Sequence, residues 1–321
     1  MEIATNDAEL TVASYNIFFG KLETDTNADI QTRIQLLCSE ILDIDADVIC
    51  LQEVLPDRYV KIRSYLNQIY PYAYPETITQ SYDTAILSKT KFVKKSKIKF
   101  SITDMGRSIR FATIKSPFDD SKTIGIGNSH FESEFGDKLT EQNVKMIQYV
   151  EAVDILEQVS EMCEVSDIIF CGDFNSHNDL SDTSLYKSFE YSPNKTIGKN
   201  WRDAWIETGR ELTKEMSFDS KTNLLLRRLY SSLTYPPTYV SRLDRILHRS
   251  RFFVHSFEMT RSSLMVSDHY PIIAKFKTER PTNTIEYVPY DPDKIALSRT
   301  RVRNRSSKAL SSKLKTISLF K

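Results

Sequence analysis

Three short segments far apart in the chain each end an apolar run in a carboxylate or an amide: Leu51-Gln52-Glu53-Val54, Gly172-Asp173-Phe174-Asn175 and Ser267-Asp268-His269. The runs ahead of them, Asp47 to Leu51, Asp167 to Cys171 and Leu264 to Val266, read as buried strands, so the polar ends project from one edge of a core sheet. Groups held that rigidly suit hydrolysis of a phosphodiester, in which positioning supplies much of the rate. Glu53 is the candidate principal metal ligand: a carboxylate ending Val48-Ile49-Cys50-Leu51 is costly to bury unless coordinated, and Mg²⁺ accepts one or two carboxylates while keeping its waters. An exposed Glu at a strand end is the competing explanation. Gly172 frees the backbone where its strand breaks, Asp173 can orient or deprotonate a water, and Asn175 can donate to charge developing on phosphoryl oxygens. His269 needs a partner to fix its tautomer or stabilise its cation, and Asp244 in Ser241-Arg242-Leu243-Asp244 offers one. His130, in Asn128-Ser129-His130-Phe131-Glu132-Ser133, is a second candidate donor.

Strands must position these groups. Periodicity predicts them at Glu9 to Phe18, Asp47 to Glu53, Thr84 to Ser88, Lys97 to Ile102, Arg110 to Lys115, Thr123 to Phe131, Asp167 to Phe174, Arg242 to Leu247, Val254 to Met259 and Tyr270 to Phe276. Ile30, Ile34, Leu37 and Ile41 recur at helical spacing, and a long helix is expected over Glu141 to Cys163 with Val144, Ile147, Val150, Leu156 and Val159 buried. Many strands and few helices predict two packed sheets flanked by helices.

With 321 residues and 40% hydrophobic content, the chain can bury a large core. No apolar run approaches the roughly 18 residues of a membrane span, and the start lacks a basic region followed by an apolar one, so a nuclear or cytoplasmic, non-secreted, non-membrane protein is expected. Cys38, Cys50, Cys163 and Cys171 have no paired spacing and sit among apolar residues, as buried free thiols do. The net charge of zero conceals an asymmetry: nine of the 43 Lys and Arg lie from Lys294 onward, where no acid occurs, so 34 face 43 acids before it. Such a tail reads as a nucleic-acid arm or import signal, or as a solvated terminus, and composition supports either. The series from Lys89 to Lys99 reads as the solvated face of an edge hairpin.

Asn16 in Ala13-Ser14-Tyr15-Asn16, then Leu51 to Val54, Ser129 to Ser133, Gly172 to Asn175, Leu243 to Ile246 and Ser267 to His269 follow in order the motifs of the endonuclease/exonuclease/phosphatase superfamily, which the chain resembles over about residues 10–277. The resemblance implies a four-layer αββα sandwich of two mixed, mainly antiparallel sheets flanked by helices, so a catalytic domain is expected over 1–278, and the charge distribution sets a basic tail over 279–321 apart from it. It also implies Mg²⁺-dependent cleavage of a phosphate ester, with Mn²⁺ as a substitute. On it, Glu53 is the metal ligand with Asn16 and Asp268 beside it, Asp173 activates water, Asn175 serves the transition state, and Asp244 with His269 faces the phosphate.

Within that superfamily the chain is most similar to the tyrosyl-DNA phosphodiesterase 2 branch, through Leu51 to Pro56, Ser129 to Ser133 and Ser217 to Asn223. This implies a monomer acting on DNA with a 5′-linked protein or peptide, with RNA-protein links as a further substrate, and with His130 and Ser133 on the scissile phosphate. Phe218 stands where the branch usually has Trp, and Ser176-His177-Asn178 replaces its Leu-Arg-Asp run. No ubiquitin-binding segment is expected ahead of the first strand. Cations Arg107, Arg110, Arg227 and Arg228 with aromatics Tyr82 and Phe218 are the candidate DNA contacts. Other substrates within the superfamily are an abasic strand, a 3′ end, and a phosphoinositide or sphingomyelin; a catalytically dead binding module is opposed by the retained acids and histidines.

Overall fold

The computed structural model describes residues 8–18, 26–133, 138–175, 201–208, 216–230, 240–261 and 266–281. The chain divides into two units, Met1–Thr284 and Ile285–Lys321, and the second, which holds most of the basic tail, lies outside the described residues. Strands β1 (Leu10–Asn16), β2 (Val48–Val54), β3 (Tyr72–Tyr74), β4 (Asp83–Ser88), β13 (Phe253–Met259) and β14 (Ile272–Lys277) form one six-stranded sheet in the order β13-β14-β1-β2-β4-β3. The second six-stranded sheet runs β5 (Phe92–Lys99), β6 (Ser108–Lys115), β7 (Thr123–His130), β8 (Asp167–Asp173), β12 (Asp244–Arg249), β9 (Arg202–Asp203). The pairs β1/β2 and β7/β8 are parallel and the others antiparallel. A two-stranded ribbon joins β10 (Phe218–Asp219) to β11 (Val240–Ser241).

Three apolar layers make this a four-layer sandwich. Ile49, Leu51, Ala13 and Tyr15 pack with Ile30, Ile34, Leu37 and Ile41 of helix α1 (Asn27–Ile44) and with Tyr59 and Ile62 of α2 (Pro56–Leu66). Between the sheets lie Val12, Val48, Cys50, Ile126, Cys171, Ile246 and Ala274. The third layer sets Phe111, Ile168 and Phe170 under α3 (Lys138–Cys163). Helix α1 begins on a capping box in which Thr26 and Asp29 bond each other's backbone N–H, satisfying donors the first turn leaves open. Among the described residues no helix is long and apolar enough to cross a membrane.

Two expectations shift. Val144, Leu156 and Val159 are buried as expected and Tyr149 and Val153 join them, while Ile147 and Val150 are each 41% exposed, because the rings of Phe131 and Phe174 pack around Tyr149 and set the phase. The strand expected from Lys97 starts at Phe92 instead and forms the sheet's edge, where Lys95 and Lys97 pair with Glu76 and Asp83. The short strands β3, β9, β10 and β11 are too brief for a periodic signal.

Candidate active site

Side chains alternate along a strand, so each strand's inter-sheet face can be followed outward to its end. In β1 that face runs Leu10, Val12, Ser14, Asn16; in β7, Ile124, Ile126, Asn128, His130; in β8, Ile169, Cys171, Asp173; in β12, Asp244 lies on the face of Ile246. Asn16, His130, Asp173 and Asp244 are therefore the polar continuation of one apolar layer. They converge: Asn16 Nδ2 donates to Asp173 Oδ2 at 2.9 Å and to Glu53 Oε1 at 3.3 Å, and His130 Nε2 lies 3.5 Å from Asp173 Oδ2 and 4.0 Å from Glu53 Oε1. His269 Nδ1 bonds Asp244 Oδ2 at 2.8 Å, and its Nε2 stands 3.8 Å from Asp173 Oδ2.

Glu53 reaches this cluster by breaking the alternation. Strict alternation would send it after Leu51 into the layer under the helices. Between Leu51 and Val54 the register against β4 shifts, so Gln52 and Glu53 face the single residue Thr84, and Glu53 takes the left-handed region at φ 57°. That conformation costs a non-glycine residue about 1–3 kcal/mol. Val54 then re-enters the layer that Leu51 occupies, and Glu53 turns to the site. Gly172 sits at φ 154°, where an added Cβ would lie 2.0 Å from the Ser129 carbonyl oxygen, so β7 and β8 approach as only glycine allows.

The charges are unequal. Burial disfavours a charged His269, yet Asp244, Asp268 and Asp173 together raise it to about 10, so it is an imidazolium. Burial also acts against the Asp173 carboxylate, but His130 and His269 with bonds from Asn175 N and Asn16 hold its pKa below the ordinary value. Burial and then the charge of Arg107 push His130 well down, leaving a neutral ring. Arg107 Nη1 can only donate to His130 Nδ1, at 2.8 Å, so the His130 proton sits on Nε2 and points at the carboxylates.

Glu53 and Asp268 behave as a pair lacking a cation. Burial and the Asp268 charge push Glu53 up to about 7; burial, against the lowering effect of His269, pushes Asp268 up to about 6. Asp268 Oδ1 is buried with no hydrogen-bond partner. Hard oxygen donors with one open oxygen fit a divalent cation. Asp173, Asp244 and His269 also bring ligand atoms within 4.8 Å of one another, so carboxylates on both sides of His269 could hold a cation, and the open oxygen of Asp268 marks the Glu53 side.

The remaining residues are placed as follows. Ser133 and Arg107 both reach Met105 Sδ, beside His130, and Glu132 accepts from Thr103 Oγ1 and from the backbone N–H of Asp104 and Met105, which fixes that loop. Asn175 keeps one amide hydrogen on the Phe131 carbonyl at 3.0 Å. The Phe218 ring meets the His269 ring edge-on at 5.0 Å between centroids. Arg110 lies elsewhere: it is buried between the sheets against Asp83 and the Thr84 carbonyl, with its guanidinium over the Tyr74 ring. Arg227 and Arg228 are on helix α4 (Leu224–Tyr230), Tyr82 is exposed, and Ser176-His177-Asn178 falls outside the described residues. Asn128, absent from the sequence-based site, lies on the same face of β7 as His130; that shared parity is the signal that finds it.

The profile of the Endonuclease/Exonuclease/phosphatase family matches residues 13–131 and 153–269. Among solved structures, TDP2 from C. elegans superposes with a TM-score of 0.65 at 20% identity, covering 84% of this chain and 76% of that one. D. rerio TDP2 complexed with single strand DNA product gives 0.64 at 24% identity, over 85% of this chain and 100% of that one. Sphingomyelinase C from Streptomyces griseocarneus gives 0.61 at 16% identity, over 83% and 99%. At these identities the likeness is one of fold. No curated protein matches the sequence significantly.

Proposed function

The chain belongs to the endonuclease/exonuclease/phosphatase family, and from that premise we propose that it is a divalent-metal phosphodiesterase that hydrolyses the 5′-phosphotyrosyl bond between DNA and a trapped protein, leaving a 5′-phosphate. The observation that carries the hydrolytic reading is the convergence of Glu53, Asp173, Asp268, His130 and His269 at one end of the inter-sheet layer. Support for the branch comes from Ser129 to Ser133 and from Phe218 against His269, together with the DNA product bound by the D. rerio relative.

A phosphodiester repels an incoming hydroxide, so its non-bridging oxygens must be neutralised before attack. Protonated His269 and the Nε2–H of His130 supply two donors, and the free amide hydrogen of Asn175 supplies a third. Asp173, kept ionised, accepts the proton of the attacking water. A cation held by Glu53 and Asp268, Mg²⁺ or Mn²⁺, would add Lewis-acid stabilisation of the phosphoryl charge. Tyrosine leaves readily for an alkoxide-class group, its phenol having a pKa of about 10. On this reading Arg107, bonded to His130, and Ser133, on Met105 with Arg107, meet the phosphate, and Phe218 offers a stacking surface. Release of a trapped protein from DNA would make this a DNA-repair activity.

The test is cleavage of 5′-phosphotyrosyl, 3′-phosphotyrosyl and abasic oligonucleotides and of sphingomyelin vesicles, with Mg²⁺, Mn²⁺ or EDTA. The 5′-phosphotyrosyl strand should be the preferred substrate and EDTA should stop the reaction. Faster turnover of the abasic strand or the vesicles would overturn the branch assignment, and full activity in EDTA would overturn the metal.

A further inference from the structure

The bulge that aims Glu53 leaves backbone acceptors behind it. Where β2 and β4 lose register, two strand carbonyls on the flank, Leu51 and Ala85, and the carbonyl of Thr84 opposite the bulge face the second sheet. All three are met from there by side chains. Asn128 Nδ2 donates to Leu51 O at 3.0 Å and to Ala85 O at 2.8 Å, and Arg110 Nε donates to Thr84 O at 2.7 Å. Asn128 and Arg110 are directly paired in the β6/β7 register, so the two reach across the inter-sheet layer side by side. Asn128 Oδ1 accepts from Gln52 Nε2 at 2.8 Å, which ties down the first residue of the bulge as well. Both side chains are buried, and Arg110 is neutralised by Asp83 at the end of the bulged pairing.

A non-glycine residue stays in a left-handed turn only when its surroundings over-determine it. These contacts do so, and they come from the sheet opposite, beneath the site.

We infer that Asn128 and Arg110 clamp the Glu53 bulge from across the inter-sheet layer, acting as positioning residues that set the affinity of the site for its divalent cation; the second half rests on the metal reading above. Their other role, filling space between the sheets, belongs equally to Ile126, which lies on the same face of β7 two residues earlier. Ile126 therefore separates a clamp from simple packing.

The experiment takes the full chain, Asn128→Ala, Arg110→Lys (which keeps the charge opposite Asp83) and Ile126→Ala. Amide hydrogen exchange over residues 50–55 is measured on metal-free protein, and Mn²⁺ alone is titrated by calorimetry. The clamp variants should lose protection over 50–55 by about tenfold beyond any global change, and weaken Mn²⁺ binding by roughly tenfold or more, as supporting contacts to metal ligands do. Ile126→Ala should lower the melting temperature while leaving both readings within about twofold of the parent, because its side chain has no donor for the three carbonyls. Parental protection over 50–55 in both clamp variants, or equal loss in Ile126→Ala, overturns the clamp. Should Asn128→Ala fail to fold, Arg110→Lys alone decides. If the parent chain binds no Mn²⁺, the metal reading falls while the exchange measurement still judges the clamp.

Discussion

Strand β12 carries two histidine–carboxylate pairs on one face, Asp244 with His269 at the site end and His248 with Glu207 at the other, separated by Ile246. Their bond lengths are nearly the same, 2.8 and 2.9 Å, and both rings are buried. Their charges differ. His269 faces three carboxylates and is raised to about 10. For His248, burial outweighs the hydrogen bond and charge of Glu207, with a smaller push from Arg202, and its pKa falls below the ordinary value. A shared carboxylate does not set a histidine's protonation; the balance of all nearby charges against burial does. The site end is thus built with surplus acid, whereas the far end is balanced internally by Arg202, Glu207 and His248.

The sharpest break between the two ends comes from Glu53→Gln. Turnover should fall by on the order of 10³-fold or more, since the ligand for a catalytic cation is lost. The melting temperature of the metal-free protein should hold or rise, because a carboxyl that burial and Asp268 already disfavour is gone. Steady-state kinetics and a thermal melt check both, and near-parental rates would remove Glu53 from the ligand role. Next, His269→Gln should lower kcat by on the order of 10²-fold, as loss of a charged donor does. His248→Ala at the other end should reverse the pattern: a stability loss of about 2–4 kcal/mol in urea, from a void beside Phe276 and the lost partner of Glu207 Oε2, whose Oε1 keeps Arg202, with kcat/KM within about twofold. Equal kinetic loss in both variants would erase the distinction.

The smallest effect is the most diagnostic. Imidazole titration by NMR on metal-free protein should keep His269 protonated to about pH 10 and show His248 titrating below 6.5. With its folded pKa raised, His269 stabilises fully below the unfolded value and loses that contribution as pH rises through about 10. His248, depressed, costs stability as pH falls below 6.5, where the unfolded chain takes up a proton that the folded chain does not. Two ordinary titrations near 6.5 would dissolve the comparison.

Much of this was legible as strand ends. Asn16, His130, Asp173 and Asp244 follow apolar alternations that place them on one face, and a period of two carries that information without coordinates. The same rule locates Arg110: Ile109 and Phe111 belong to the layer under α3, so the residue between them must face the other sheet rather than DNA. Glu53 defies it, because nothing in Leu51-Gln52-Glu53-Val54 announces a register shift; the bulge depends on pairing with β4, more than thirty residues away. The phase of α3 was likewise set at a distance, by the aromatic cluster of Phe131, Tyr149 and Phe174.

The close approach at Gly172 has a consequence for the site as a whole. With the Ser129 oxygen only 2.0 Å from where a methyl would go, even alanine would act as a wedge between β7 and β8, prising His130 and Asp173 apart because each follows its wedged neighbour by one residue. A single carbon could then silence the chemistry without touching any reacting group.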